Sequence, residues 1–359
     1  MPQIPHHDPV RHASVSQASI KDVALEAGVH FSTVSKALRN HPRIALSTRE
    51  RVQAAAAHLG YATNPVYQAL TARRSNATAV LAPPRMVFVS NRPNEATFAN
   101  TAHMRYFLAG VRHQAERLGY QCDLLLVGDE ALTASDVARR LESPHTDGLI
   151  IGAFVPHLRL VEFDWDRYPL VKIDSAFMLP RAAMVSNDQM QMLRSAYDHG
   201  RRLGYRRIGM AIGRIDDQNT HGLYSSGLFL SEDLHNAEPI APLYFGHSED
   251  TRAIGRRLAK WIRAHRIDLV LCNWTNIRDL LGAGGLRSPA DIACACLALS
   301  DPDPSLAGIL ANHHAIGCKV AEALALVLQG QAIPMASVTY VPGAWQDGAS
   351  APAIHAAAR

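Results

Sequence analysis

Between Ser19 and Leu70 the chain carries a pattern that few folds accommodate: short amphipathic helices joined by a tight turn. The stretch opens SIKDVALEAGVHFSTVSKAL, in which Ile20, Val23, Ala24 and Ala27 recur at i, i+3, i+4 and i+7, one face of a helix. Ser19 followed by Asp22 is a weak N-cap pattern, with an acid in the first turn where the helix dipole favours it. Gly28 stops this helix where a left-handed residue is wanted. A second helix puts Val34, Ala37 and Leu38 on its inner face. Small Ala24 permits close approach, Gly28 turns the chain, and Val34 fills the angle, which is the spacing of a helix-turn-helix. A third helix is expected from Ser47, with Glu50 three residues on, Val52, Ala55, Ala56 and Leu59 facing inward, and Gly60 as its stop. The second helix of such a unit enters the DNA major groove with its N-terminal residues at base edges, which singles out Phe31, Ser32 and Lys36. An ordinary helical hairpin shares the Ala-Gly-Val spacing, so the pattern alone leaves both readings open.

Charge favours the first. Up to Pro83 the chain has nine Lys and Arg against four acids, a net +5; the remainder has 27 against 28, a net −1. The positive excess therefore sits on the patterned helices, as phosphate neutralisation requires.

The residues IKDVALEAGVHFSTVSKALRNHPRI, then TRERVQAAAAHLGY, then NPVYQAL resemble the lactose-repressor/galactose-repressor (LacI/GalR) family of bacterial transcription regulators. The resemblance is specific through the head and continues more weakly along most of the chain. It implies base reading by Phe31, Ser32 and Lys36, and phosphate contacts from Ser19, Thr33, Ser35, Arg39 and Arg43. It also implies a hinge helix in the minor groove, with Asn64 at its start and Leu70 wedged into the central base step beside Ala69. Two departures stand out. His30 occupies the N-cap place of the recognition helix where the family usually has Ser, a poorer cap. Val66, Tyr67 and Gln68 are unusual in the hinge. Lys36 also offers a point charge where a bidentate Arg is common, which softens guanine discrimination. These changes point to an altered operator rather than to lost DNA binding.

The expected organisation is a disordered tail over 1–17, in which His6 and His7 are not read as a metal site, then a helix-turn-helix domain over 18–63. A hinge helix and linker follow over 64–83, then a two-lobed effector-binding and dimerisation domain over 84–346, and a tail over 347–359. In the body, strands and helices alternate: MVFVS at 86–90, a helix over 106–118, a strand over 122–127, a helix near 135–142, LIIG, and LVKID at 170–174. The pattern restarts with a helix over 189–203, RIGMAI at 207–212, a helix over about 251–265, LVLC at 269–272, a strand within GLRSPADIACACL, and a helix over 315–328. Such alternation argues for parallel sheets covered on both faces. The fold class is thus an all-α head with a hinge helix, plus an α/β body of two doubly wound parallel-sheet lobes. By resemblance the body is a periplasmic-binding-protein-like sensor, with chain crossovers near Ser186, Ala307 and Pro334.

Ligands of open α/β sheets lie beyond the carboxyl ends of the strands. On that rule and the resemblance, the candidate cleft residues are Asn91, Arg92, Phe154, Asp174, Asp188, Tyr224 and Trp274. Each has a plain alternative: Asp174 and Asp188 as helix caps, Trp274 as core, Arg92 as a solvated charge. The family's sugar sensors show Arg near Tyr224, Asn-Asp where Trp274 and Thr275 stand, and an acid near Leu310 and Ala311. These replacements disfavour an ordinary free sugar, whose hydroxyls need paired donors and acceptors. The HSED stretch at 247–250 reads as the cap of the following helix.

Five scattered cysteines read as buried thiols of a reducing cytoplasm. There is no apolar run for a membrane span, no P-loop, no Gly-x-Ser-x-Gly elbow and no His-Glu-x-x-His helix, and no metal or cofactor is expected. The leading expectation is therefore a cytoplasmic, nucleoid-associated homodimer that binds an operator in double-stranded DNA and answers to a small-molecule effector of unknown identity, without enzymatic or membrane function. Two alternatives are a DNA-binding regulator whose sensor is silent, and a solute receptor sharing only the sensor fold.

Overall fold

The computed structural model describes residues 20–38, 44–59, 83–155, 157–175, 177, 180–331 and 337–354. Two compact units divide near residue 81.

The first unit holds α1 (Ile20–Glu26), α2 (Phe31–Leu38) and α3 (Leu46–His58). Gly28 adopts φ +61°, the left-handed turn expected between α1 and α2. Its core is Val23, Ala24, Ala27, Val34, Ala37, Val52, Ala55 and Ala56, all buried. These are the inner-face positions read from periodicity. The third helix begins one residue before Ser47, its first turn closed by the Ala45 carbonyl, so Ser47 lies inside the helix and is not its cap. His58 Nδ1 lies 2.7 Å from Glu26 Oε1 and ties α3 to α1, an exposed pair that contributes little.

In the second unit two six-stranded sheets share the chain. The elements of the first stretch are β1 (Arg85–Ser90), α4 (Glu95–Ala99), α5 (Ala102–Arg117), β2 (Gln121–Leu126), α6 (Ala134–Glu142), β3 (Gly148–Gly152), β4 (Leu170–Ile173) and β5 (Met184–Asn187). The next stretch holds α7 (Gln189–Arg202), β6 (Ile208–Gly213), α8 (Arg214–Asn219), α9 (Leu223–Leu234), β7 (Leu243–Phe245), α10 (Thr251–His265), β8 (Leu269–Cys272), α11 (Ile277–Ala283), β9 (Ala293–Leu299) and β10 (Ala307–Leu310). α12 (His313–Leu328), β11 (Val338–Val341) and β12 (Ala344–Gln346) complete it. The first sheet runs β11-β5-β4-β3-β1-β2, all parallel; the second runs β12-β10-β9-β8-β6-β7. Its edge strand β12 pairs antiparallel with β10, a departure from the all-parallel expectation.

Period-two alternation builds a core on each face of each sheet. Met86 and Phe88 face α5 and α12, while Val87 and Val89 face the opposite cluster with Val137 and Leu141 of α6. In the second sheet Leu269, Leu271, Ala293 and Ala295 face α7 and α9. Val270, Cys272, Cys294 and Cys296 face α10 and α11. All five cysteines are free thiols, and the last three named are fully buried. Among the described residues no helix is long and apolar enough to cross a membrane.

The chain passes between the lobes at 188, at 311–312 and at 342–343. The first two fall close to the expected Ser186 and Ala307. The third lies beyond Pro334, because a first-lobe strand, β11, intervenes. VTYV escaped the periodicity reading because it is an edge strand, exposed along most of its length.

Candidate DNA head and ligand cleft

In the head, Phe31 begins α2 and is 49% exposed, a large ring held outside the core at the helix N-terminus. His30 precedes it and its carbonyl accepts from Thr33 N at 2.8 Å, so it occupies the capping place with its backbone. Thr33 is half-buried on the same helix. Ser32, Ser35 and Lys36 fall in α2, but their side chains lie outside the described residues, as do Ser19, Arg39, Arg43, Asn64, Ala69 and Leu70 altogether.

In the body a cleft of about 890 Å³ lies between the lobes. Residues following the carboxyl ends of strands in both sheets line it, as the topology of open α/β sheets dictates. Arg92, Phe154, Asp174, Tyr224 and Trp274 line it. Asn91 does not: it is fully buried, and its amide donates to Val155 O and accepts from Val155 N, each at 2.9 Å, pinning the loop after β3. Asp188 does not either. It caps α7 by accepting from Gln191 N at 3.0 Å, the plainer of its two readings.

Several wall residues escaped the sequence reading: His103, His157, Asp216, His247, Asn273 and His313. Asp250 does cap α10, as HSED suggested, yet His247 of the same stretch turns into the cleft. There it binds Asp216 Oδ1 at 2.8 Å and stacks on His157, with ring centroids 4.6 Å apart. That stack spans the lobes, as does the hydrogen bond from the Tyr106 hydroxyl to Asp301. Asp216 also accepts from Asn273 Nδ2 at 2.7 Å and from the Trp274 indole at 2.8 Å. Burial pushes its carboxyl up, but the hydrogen bond and charge of His247, with Asn273 and Trp274, hold it below the ordinary range. The available signal was position: residues 157, 247 and 273 each follow a strand's carboxyl end.

Asp174 sits at φ +43°, half-buried in the cleft wall, accepting from the Ser186 hydroxyl, from Asn187 Nδ2 at 3.0 Å and from Asn187 N at 3.3 Å. Burial nonetheless pushes its carboxyl above the ordinary value, outweighing those donors. A raised carboxyl stabilises the fold at low pH, and that stability is lost as pH rises through the folded-state value. Asp174→Asn is therefore expected to raise the melting temperature at pH 8 more than at pH 4. Asn tolerates the left-handed backbone, and the unpartnered Oδ1 of Asn187 can accept from the new amide. A lower melting temperature at pH 8 would refute this balance of burial against hydrogen bonding.

A family model described as "Bacterial regulatory proteins, lacI family" matches residues 19–64, the three-helix head. An HTH-type transcriptional regulator of Mycobacterium tuberculosis is 30% identical over 204 residues, 55% of this chain and 53% of that protein. Residues 19–64 are therefore a LacI-family head. The ribose operon repressor of Bacillus subtilis is 30% identical to this chain over 171 residues, 48% of the chain and 47% of the repressor. The chain thus spans about half the length of the curated relatives it matches. In fold it is similar to a lac repressor dimer bound to operator and an anti-inducer, with a TM-score of 0.55 and 21% identity over 94% of this chain and 100% of that one.

Proposed function

We propose that this chain is a LacI-family transcriptional repressor that reads a near-palindromic operator as a homodimer and is controlled by a small molecule in the interlobe cleft. The observation that carries the reading is the head: a buried Val34-centred core, a left-handed Gly28 and an exposed Phe31 at the start of α2. That is the geometry by which a recognition helix presents side chains to base edges. Phe31, Ser32 and Lys36 are assigned to bases, Ser19, Thr33, Ser35, Arg39 and Arg43 to phosphates, and Asn64, Ala69 and Leu70 to the minor groove. A second copy is supported by α9, where Phe229, Leu230 and Leu234 are exposed apolar side chains. The cleft supports a sensor, because polar groups from both lobes converge on a space large enough for a small molecule.

Selection of duplexes from a random pool by the full chain at moderate salt tests the reading, with a two-fold symmetric site as the expected result. No enrichment over the starting pool would overturn it. Leu70→Ala is expected to weaken binding to the selected duplex at least tenfold while leaving random-duplex binding within twofold, because a wedge is worth most where its base step opens. Equal losses on both duplexes would remove the wedge role.

A further inference from the structure

The cleft's charges are not equally provided for. Asp216 has three side-chain donors, Asp174 is held by Ser186 and Asn187, Asp301 accepts from Tyr106, and Asp303 accepts from Ser305 N at 2.8 Å. Every acid lining the cleft therefore has a partner within the fold. Arg92 does not. It is the one Lys or Arg among the described lining residues. Among the described residues no acid lies within ion-pair distance of it, and its Nε is buried without an acceptor. Burial alone lowers its proton affinity. The charge sits beside His103 and His157, both of which feel it. His103 is pushed down to about 3 by burial, then by His313 and Arg92. His313 contributes a further orphan, a buried Nδ1 without a partner.

A half-buried guanidinium with a buried, unpartnered Nε and no counter-charge is costly, and a charged partner arriving from the cleft would offset that cost. The guanidinium's planar fork matches a carboxylate or phosphate oxygen pair. We infer that the ligand of the interlobe cleft carries an oxyanion, a carboxylate or a phosphate, which pairs with Arg92. This inference rests on the reading of the cleft as an effector site and names the chemistry of that effector. The remaining contacts, Asn187 Oδ1 and Gln189 Oε1 as unpartnered acceptors, then face donor groups on the rest of the molecule.

The test titrates the full chain by calorimetry with inorganic phosphate, with succinate and with glucose, using wild type, Arg92→Gln and Arg92→Lys. One of the two oxyanions is expected to bind the wild type with one site per chain, and which of them binds identifies the source of the charge. Arg92→Gln should weaken that binding at least tenfold, and Arg92→Lys, which keeps the charge but loses the fork, by less. Thermal melting without ligand guards against a structural explanation: Arg92→Gln should melt at or above the wild type, since it deletes a half-buried charge that has no acid partner among the described residues. Binding of neither oxyanion, equal affinity in Arg92→Gln, a substantially lower melting temperature in that variant, or glucose binding that ignores Arg92 would each overturn the inference. Measuring affinity for the selected duplex on the same samples separates the two readings. A chain that binds its duplex but no oxyanion loses this inference alone, and one that selects no duplex loses the regulatory reading.

Discussion

Val34→Asp is expected to unfold the head and abolish duplex binding while leaving the melting of the two-lobed body unchanged. Val34 is fully buried at the junction of α1, α2 and α3. Five of the eight residues of that core are alanine, so little apolar surface is buried and small domains of this kind hold only about 3–5 kcal/mol. An uncompensated carboxylate in an apolar core costs roughly 3–5 kcal/mol, as much as the whole head has. The body forms a separate compact unit with its own four apolar clusters, so its transition should persist. Duplex affinity and calorimetric melting measured together check this, and a variant that still bound the selected duplex as tightly as wild type would show that the three-helix core does not support the DNA-reading surface.

Gly317→Val should destabilise the body by about 3 kcal/mol or more through overpacking. A Cβ at Gly317 would stand 2.2 Å from the Phe107 carbonyl oxygen and 2.9 Å from Val111 N, and one at Gly110 would stand 2.1 Å from the His314 carbonyl oxygen. These are backbone atoms of α5 and α12, which cannot rotate aside as a side chain would. Relief requires the two helices to separate, opening the cluster that includes Phe107, Val111, Ile316 and Val320. Helix propensity alone disfavours glycine by about 1 kcal/mol against alanine, so an isolated α12 would be improved by either substitution. Tertiary contact reverses the sign. Urea unfolding of Gly317→Ala and Gly317→Val is expected to show falling midpoints in that order; unchanged midpoints would mean the helices have room to spare.

The head was legible in the sequence because its information is local. Val23, Ala24, Ala27, Val34 and Val52 sit a helical period apart, and Gly28 stands where a left-handed turn is needed, so the face that packs can be read without knowing its partner. The body's strands were legible for a similar reason, since short apolar runs such as RIGMAI and LVLC are buried on both faces. The edges were not. β11 and β12 each have one neighbour and no continuous apolar run, which is why the third crossing and the antiparallel edge escaped notice.

The cleft was legible only in part, and the cause is distance along the chain. Arg92, Phe154, Asp174, Tyr224 and Trp274 follow from strand-end position or family likeness. Asn91 and Asp188 share that position, yet their polar atoms are consumed by Val155 N and O and by Gln191 N. His157 meets His247 across ninety residues, and Asp216 meets Asn273 and Trp274 across nearly sixty. No periodicity encodes such meetings.

By itself the sequence determined that this protein has a three-helix head of helix-turn-helix spacing and an alternating α/β body, because periodicity and turn chemistry are properties of neighbouring residues. Only the tertiary structure decided which charges in the cleft are already answered and which one is not. Whether an arginine is solvated or waiting for a partner depends on every atom folded around it, and among the described residues the packing of two lobes gives Arg92 no acid to pair with.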